Sequence, residues 1–325
     1  MELIKIDQNS GIPLIGLAYI GILTRNDNTL IQIRPTTVCN MKCPFCSTSA
    51  NSVRVHPRNY IVDKNYLVAW IKEVIDYLGG IDIAHIDSVG DPTTYPNLIS
   101  LIQEIKKLNV KTISMVTNGV LLDRSKIKAL KKAGLDKINI SIHSLNTEKS
   151  KLLFGNTSYN PDKVISNIKD LIKNKIEVWL TPVYLPGLNE EDLEDLIKLS
   201  KELKCNIGIQ KYEIHKYGRK IKGVKEETYY SFYKKIKEWE AKYNLKLGFK
   251  AKDIEVRKAK KLPQKFKLNE KANIEIKSKG WMPNQMIGVA KNRAVTVLNC
   301  NEPINSTIKA KIIQTKNNIY IAKWK

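Results

Sequence analysis

Residues 39–46 read Cys39-Asn40-Met41-Lys42-Cys43-Pro44-Phe45-Cys46, three cysteines at the spacing C-x3-C-x2-C. Just upstream, Leu30-Ile31-Gln32-Ile33-Arg34 is a strand-like run that ends at Arg34-Pro35-Thr36. Thiolates are soft ligands, so three on one short loop point to iron–sulfur, zinc or copper(I). A structural zinc site or a fully protein-ligated cluster takes four protein ligands. No fourth Cys or His stands at the usual C-x2-C or H-x3-H spacing; the nearest candidate is His56, ten residues past Cys46. Three ligands therefore suggest a cluster with one iron left open for a small molecule.

Outward from this loop the chain alternates strands and helices. Residues 64–78 place Leu67, Trp70, Ile71, Val74, Ile75 and Leu78 at helical period and stop at Gly79-Gly80. A short apolar strand covers 81–88, a helix 96–108 and a strand 111–117, and a further helix runs from an Asp123 cap to Gly134. Residues 136–142 alternate with period two, Pro161 opens a helix to Asn174, and 176–183 is a strand. Asn189 caps a helix over 190–203 with acids in its first turn, 205–214 is a sixth strand, and 226–242 is a last helix. Six strands alternating with helices predict a parallel sheet with right-handed crossovers, short of the eight repeats of a closed barrel. In parallel barrels the chemistry sits at the C-terminal strand ends, where the cysteine loop falls. On the fourth strand Ile138, Ile140 and Ile142 suit the helix layer, so Asn139, Ser141 and His143 are expected to face inward.

With the aromatic Phe45 before its last cysteine, the loop resembles the signature of the radical S-adenosylmethionine (SAM) superfamily, and the chain is similar to archaeal iron–sulfur oxidoreductases of that superfamily. The resemblance implies an α/β fold with a partial, TIM-like (βα)6 barrel. It implies a [4Fe-4S] cluster on Cys39, Cys43 and Cys46, with SAM chelating the open iron. Electron transfer from the cluster, fed by a donor such as a ferredoxin or flavodoxin, would split SAM to a 5′-deoxyadenosyl radical that abstracts a hydrogen atom. Val89-Gly90-Asp91-Pro92 stands where the family carries a Gly-Gly-Glu-like motif whose backbone carbonyls take the SAM amino group; Val and Asp replace its first Gly and its Glu. Thr117-Asn118-Gly119 matches a tripeptide the family often carries at this strand end. Ser141 stands where a serine commonly contacts the SAM carboxylate or ribose, and Thr181-Pro182-Val183 is similar to the segment flanking adenine. The implied cofactor contacts are thus Phe45, Gly90, Asp91, Asn118, Ser141 and Pro182.

The chain has 325 residues, and 55 Lys+Arg against 32 Asp+Glu give a formal charge of +23. Such a balance favours polyanionic partners, nucleic acid first, against a general Lys-rich bias as the plain alternative. Cysteine usage is low and clustered, with only Cys205 and Cys300 outside the loop, which points to a reducing cytoplasm and away from a disulfide framework. Either could be a hydrogen-atom donor, a covalent methyl carrier or a buried thiol. Met1-Glu2-Leu3-Ile4-Lys5 shows no basic n-region followed by an apolar h-region, so no leader is expected, and the apolar run 11–23 is too short and too Gly/Pro-broken to be expected to span a membrane.

The expected organisation is an N-terminal extension over 1–28, the α/β core over 29–249, a basic linker over 250–270 and a small β-barrel over 271–325. Within the last, strands are expected near 272–276, 286–290, 294–297, 308–313 and 318–322, an OB-like pattern. Their order resembles a TRAM domain, a small RNA-binding barrel attached to several tRNA-modifying enzymes, and this implies RNA, tRNA above all, as partner and substrate. The TRAM-bearing methylthiotransferases bind a second cluster through an extra N-terminal cysteine set, whereas this chain has no cysteine before Cys39. Substrate or RNA candidates are Arg34, His143, Tyr212, Arg219, Lys220, Lys291 and Arg293, with Gln210, Trp281 and Tyr320 beside them. For His143 a hydrogen-bonded interior histidine is the alternative. Two other readings stand beside RNA modification: a radical SAM enzyme acting on a peptide or small metabolite, and a non-enzymatic, zinc-stapled RNA-binding protein.

Overall fold

The computed structural model describes residues 1–24, 27–249 and 253–324. In chain order the strands and helices are β1 Glu2–Ile6, β2 Gly21–Thr24, β3 Leu30–Arg34, β4 Arg58–Val62, α1 Lys64–Leu78, β5 Ile83–Ile86, α2 Leu98–Lys107, β6 Thr112–Thr117, α3 Arg124–Ala133, β7 Lys137–Ile140, α4 Thr147–Phe154, α5 Pro161–Lys173, β8 Glu177–Leu180, β9 Val183–Tyr184, α6 Glu190–Leu203, β10 Asn206–Ile207, β11 Gln210–Lys211 and α7 Tyr229–Tyr243. The C-terminal strands are β12 Lys271–Lys279, β13 Gln285–Ala290, β14 Arg293–Leu298, β15 Thr307–Gln314 and β16 Ile321–Lys323. Among the described residues no helix is long and apolar enough to cross a membrane.

The chain forms two compact units, residues 1–39, 51–113 and 256–325 in the first, 40–50 and 114–255 in the second. β6 begins in one and ends in the other. In the first, β2 runs antiparallel to β3, and β3 is parallel to β5. In the second, the residues of β6 pair in parallel with β7, β7 with β8, and β8 with β10. This is the parallel α/β arrangement expected from the six-fold alternation.

Local chemistry sets the helix ends. Asp63 accepts hydrogen bonds from the Asn65 and Tyr66 amides at the start of α1, and Gly79 ends it at φ +73°. Asp123 caps α3 through the Lys126 amide, and Asn160 caps α5 ahead of Pro161. Two expected strands are each broken in two. The run 176–183 stops at Leu180 and resumes as β9, because Pro182 has no N–H to give a ladder. The run 205–214 divides into β10 and β11 around Gly208, whose amide donates to the Leu180 carbonyl at 2.9 Å. α4 and β4 carry weak periodicity and lie outside the expected elements; β4 pairs in parallel with β1, drawing the N-terminal residues into the first unit.

The C-terminal strands close into a five-stranded barrel in the order β12-β13-β14-β16-β15. Ile274, Ile276, Val295, Val297, Ile312, Phe266 and Tyr320 fill it. The last strand starts later than expected, after a tight turn in which Asn317 and Asn318 take left-handed backbone. Within its own unit the barrel is sutured to the segment before β2: the Ala294 amide donates to Ile15 O and the Tyr320 amide to Gly16 O, both at 2.9 Å. A Cβ on Gly16 would lie 1.9 Å from the Ala294 carbonyl oxygen, so only glycine allows this approach.

Candidate metal centre

In the first unit the entrance to the cysteine loop is laced to the turn after β5. The Asp91 amide donates to Val38 O at 2.8 Å and the Thr94 hydroxyl to the same oxygen at 3.1 Å. A Cβ on Gly90 would lie 2.0 Å from that oxygen, which explains the glycine in Gly-Asp-Pro. The buried Asp91 carboxylate turns back to accept the Thr93 amide at 2.9 Å. Its backbone thus faces the loop while its side chain holds the turn, so Asp in place of Glu keeps the arrangement. Asn51 Nδ2 donates to Cys39 O at 2.6 Å. Arg34 does not stand at an open mouth, where the sequence suggests it. Its side chain is 11% exposed and paired with Asp87 at 2.9 Å, and it also donates to the carbonyls of Asp87 and Ala18. The carboxylate and carbonyls that pin it take up the donors a phosphate would use.

In the second unit the Cys46 amide donates to Cys43 O at 3.2 Å, and Cys46 Sγ lies 3.4 Å from the Thr48 hydroxyl. The Lys42 amide donates to Phe154 O at 3.0 Å, and a Cβ on Gly155 would lie 2.3 Å from Lys42 O. Gly155 also takes φ +57°, so two constraints require glycine there. Buried Asn118 Nδ2 donates to Asn40 Oδ1 at 2.7 Å, tying the end of β6 to the loop. Phe45 packs with Leu153, Leu185 and Tyr212, and Cys43 lies against the same cluster. Tyr212, expected on the substrate side, is 3% exposed in this packing. Pro182 is buried, and Gln210 is exposed with its amide bound to Pro182 O at 2.8 Å.

His143 takes the interior-histidine alternative. It is buried, edge-on to Phe45 at 5.0 Å and stacked on Phe154 at 4.9 Å, and its Nδ1 accepts the Val183 amide at 3.2 Å. Burial pushes its pKa down to about 3 from the ordinary 6.5. Between those values the unfolded chain binds a proton that the folded chain refuses. Stability is therefore complete above pH 6.5 and falls on acidification, by up to about 1.4 kcal/mol per pH unit for this one group. Denaturant unfolding of cluster-free protein from pH 7 to 4 is expected to show a shallower acid slope in His143→Gln than in the wild type. Equal slopes would refute the assignment.

Ser141 is half-buried just past β7, its amide bonded to Thr117 O at 2.8 Å. Near it in sequence and register, Asn139 Oδ1 and Thr181 Oγ1 are buried with no hydrogen-bond partner among the described residues. Orphaned oxygens of this kind at strand C-termini suit a polar ligand. Sequence patterns do not single out Asn40 or Gly155, and they mark Thr181 only as part of the Thr181-Pro182-Val183 segment.

None of the five cysteines is in a disulfide, and Cys39, Cys43 and Cys46 are partly exposed. That donor set fits a thiolate-held cluster. No group of three His, Cys, Asp or Glu side chains among the described residues is placed to hold a single metal ion. His56 is no fourth ligand candidate: it is buried in the first unit, stacked on Trp281 at 3.7 Å. Cys300 is fully buried in the barrel core, and burial pushes the Cys205 thiol up to about 11, so neither is poised as a reactive thiol.

The expected RNA contacts on the barrel are placed differently. Trp281, Arg293 and Tyr320 are 8%, 5% and 0% exposed. Arg293 Nη1 donates to Asn292 O at 2.8 Å, and Lys291 is paired with Glu270. Tyr320 packs into the barrel core, Arg293 lies in the wall at the start of β14, and Trp281, just past β12, stacks on Tyr19 and His56. Arg219 is partly buried against the cysteine loop, while Lys220 is exposed.

A family model described as the Radical SAM superfamily matches residues 33–200. The protein MJ0103 of Methanocaldococcus jannaschii is 32% identical over 345 residues, covering 97% of this chain and 79% of that protein. A probable GTP 3',8-cyclase of Saccharolobus islandicus is 33% identical over 192 residues, 58% of each chain. Among solved structures, Streptococcus suis SuiB bound to S-adenosylmethionine superposes with a TM-score of 0.54 at 19% identity, over 75% of this chain and 52% of that one. A radical SAM methyltransferase from Sphaerobacter thermophilus does so with 0.55 at 15%, over 70% and 68%. At these identities the structures show a shared fold.

Proposed function

The chain belongs to the radical SAM superfamily, and from that premise we propose that it modifies RNA, tRNA in the first place, with the cluster held by Cys39, Cys43 and Cys46. It is an enzyme whose cofactors are a [4Fe-4S] cluster and SAM. Together these supply, when bound, the one-electron reductive cleavage of SAM. In this reading the backbone at Gly90 and Asp91 receives the SAM amino group, Phe45 and Pro182 bound its site, and Asn118 positions the loop through Asn40. The hydroxyls of Ser141 and Thr181 and the Asn139 amide oxygen take the remaining polar groups. Radical SAM chemistry needs a reductant, here one of the ferredoxin or flavodoxin kind, which fits a cytoplasmic setting.

The observation that carries the RNA reading is a rung of lysines on the barrel, taken as TRAM-like. In the strand register Lys271 faces Lys311, and Lys311 faces Lys323. Lys309 stands two residues along β15, and all four side chains are exposed. Among the described residues none of the four is in an ion pair. Like charges directly opposite one another destabilise a sheet. A polyanion lying across the three strands relieves that repulsion, and a phosphate backbone supplies one negative charge after another at matching scale.

The test is tRNA affinity across a salt series for the wild type and for the variant with Lys271, Lys309, Lys311 and Lys323 all changed to Ala. We expect weaker binding and a slope of log affinity against log salt that is shallower by about 3, from about 0.7–0.9 for each phosphate that a lysine no longer neutralises. An unchanged slope would sink the RNA assignment of this face.

A second reading, a small nucleotide as substrate, is favoured by the cyclase similarity, although the chain spans 58% of that cyclase's length. GTP consumption under reductant, unaffected by the four lysine substitutions, would favour it.

A further inference from the structure

After β11 the chain returns over the cysteine loop. The Arg219 amide donates to Cys46 O at 2.8 Å. The guanidinium of the same residue donates through Nη1 to Cys43 O at 3.1 Å and through Nη2 to Ala50 O. One residue thus binds the carbonyls of two cysteines and the far end of their loop, from 176 positions away in sequence. The preceding Gly218 lies so close that a Cβ would be 2.9 Å from Ser47 O and 3.0 Å from Cys46 O. Beyond it, Ile221 and Val224 pack on the apolar cluster of Phe45, Leu153, Leu185 and Tyr212, against which Cys43 also rests. The segment touches the loop by backbone, by guanidinium and by apolar side chains, all within one compact unit.

We propose that residues 217–224 are a clamp on the cysteine loop, and that Arg219 is the positioning residue that holds Cys43 and Cys46 in cluster-binding geometry. The inference rests on the cluster assignment made above. Arginine suits the role because its planar fork binds two carbonyls in fixed directions, which a lysine ammonium does not. Outer-shell groups that orient ligands typically govern metal affinity about 10–100-fold. The fixed positive charge beside the loop also lowers the cost of adding an electron to a thiolate-bound cluster, so it raises the reduction potential. Assigning the fork to the loop takes Arg219 out of the phosphate-binding candidates and leaves Lys220 there.

The experiment reconstitutes wild type, Arg219→Ala, Arg219→Lys and Gly218→Ala anaerobically. It follows chelator-driven bleaching of the cluster and its potential by redox titration with spin resonance detection. Circular dichroism of each cluster-free protein reports the fold. For Arg219→Ala, iron loss is expected to be about 10–100-fold faster, with a lowered potential. Arg219→Lys should restore the potential and leave retention poor, since it keeps the charge and loses the fork. Gly218→Ala keeps the guanidinium and pushes the strap off the Cys46 and Ser47 carbonyls, so it should lose retention as well. Wild-type bleaching rates and potential in both Arg219→Ala and Gly218→Ala would overturn the clamp. A wild type that takes up no iron would overturn the cluster assignment itself, and the clamp with it.

Discussion

Cys43→Ala is expected to abolish reductive cleavage of SAM while leaving the fold in place. The loss should be complete, because in the proposed assignment these three thiolates are the only ligands the protein gives the cluster. Removing one leaves too few ligands to retain the cluster. The fold should survive because what the structure asks of Cys43 besides its thiol is mostly backbone: its carbonyl accepts the Cys46 amide at 3.2 Å and Arg219 Nη1 at 3.1 Å. Alanine keeps both. The side chain is partly buried against the Phe45 cluster, so truncation removes one sulfur's worth of packing. The measurement is 5′-deoxyadenosine released under a chemical reductant, alongside iron content and circular dichroism. Cleavage at the wild-type rate would remove the three cysteines from the role given to them.

Gly90→Ala is expected to have nearly as large an effect by a purely steric route. The added Cβ would meet Val38 O at 2.0 Å and Val38 C at 2.4 Å, both backbone atoms with no rotamer to give way. The turn after β5 must then part from the entrance to the cysteine loop. That breaks the bond from the Asp91 amide to Val38 O at 2.8 Å and moves the residue next to Cys39. Overpacking of this kind costs about 1–3 kcal/mol in stability. The functional loss should be far greater than that cost implies, because the displaced backbone is the one proposed to take the SAM amino group and lies beside Cys39, a proposed cluster ligand. Gly187→Ala is the control: Gly187 takes a left-handed φ, +77°, so the substitution carries some backbone strain, yet a Cβ there meets nothing within 4 Å. Expected, then, is loss of SAM binding by Gly90→Ala with Gly187→Ala near wild type. Similar SAM affinity in all three proteins would contradict the lacing.

What can be read without coordinates follows from contacts that are local in sequence. The cysteine spacing, the 3.6 period of α1 and α5, the caps at Asp63, Asp123 and Asn160, and the period-two pattern of β7 depend on neighbours a few residues away. They suffice for a soft-metal loop, the parallel α/β order and the five C-terminal strands, while the reaction class follows from the resemblance that the loop carries. The TRAM-like reading of those strands points toward RNA but through Trp281, Arg293 and Tyr320, all three of which are buried, Trp281 against Tyr19 and His56 and Tyr320 in the barrel core.

Placement across long separations is another matter, because nothing in a residue's own neighbourhood encodes it. Arg34, Arg219 and Arg293 are equally basic in the sequence. The fold gives the first to Asp87, the second to two cysteine carbonyls and the third to the barrel wall. Likewise Lys271, Lys311 and Lys323 become neighbours only through strand register, which hydrophobic burial on the opposite face sets. The chemistry of the loop is written in eight consecutive residues. What steadies that loop, and which cations remain for a substrate, are consequences of backbone hydrogen bonds and packing between distant segments.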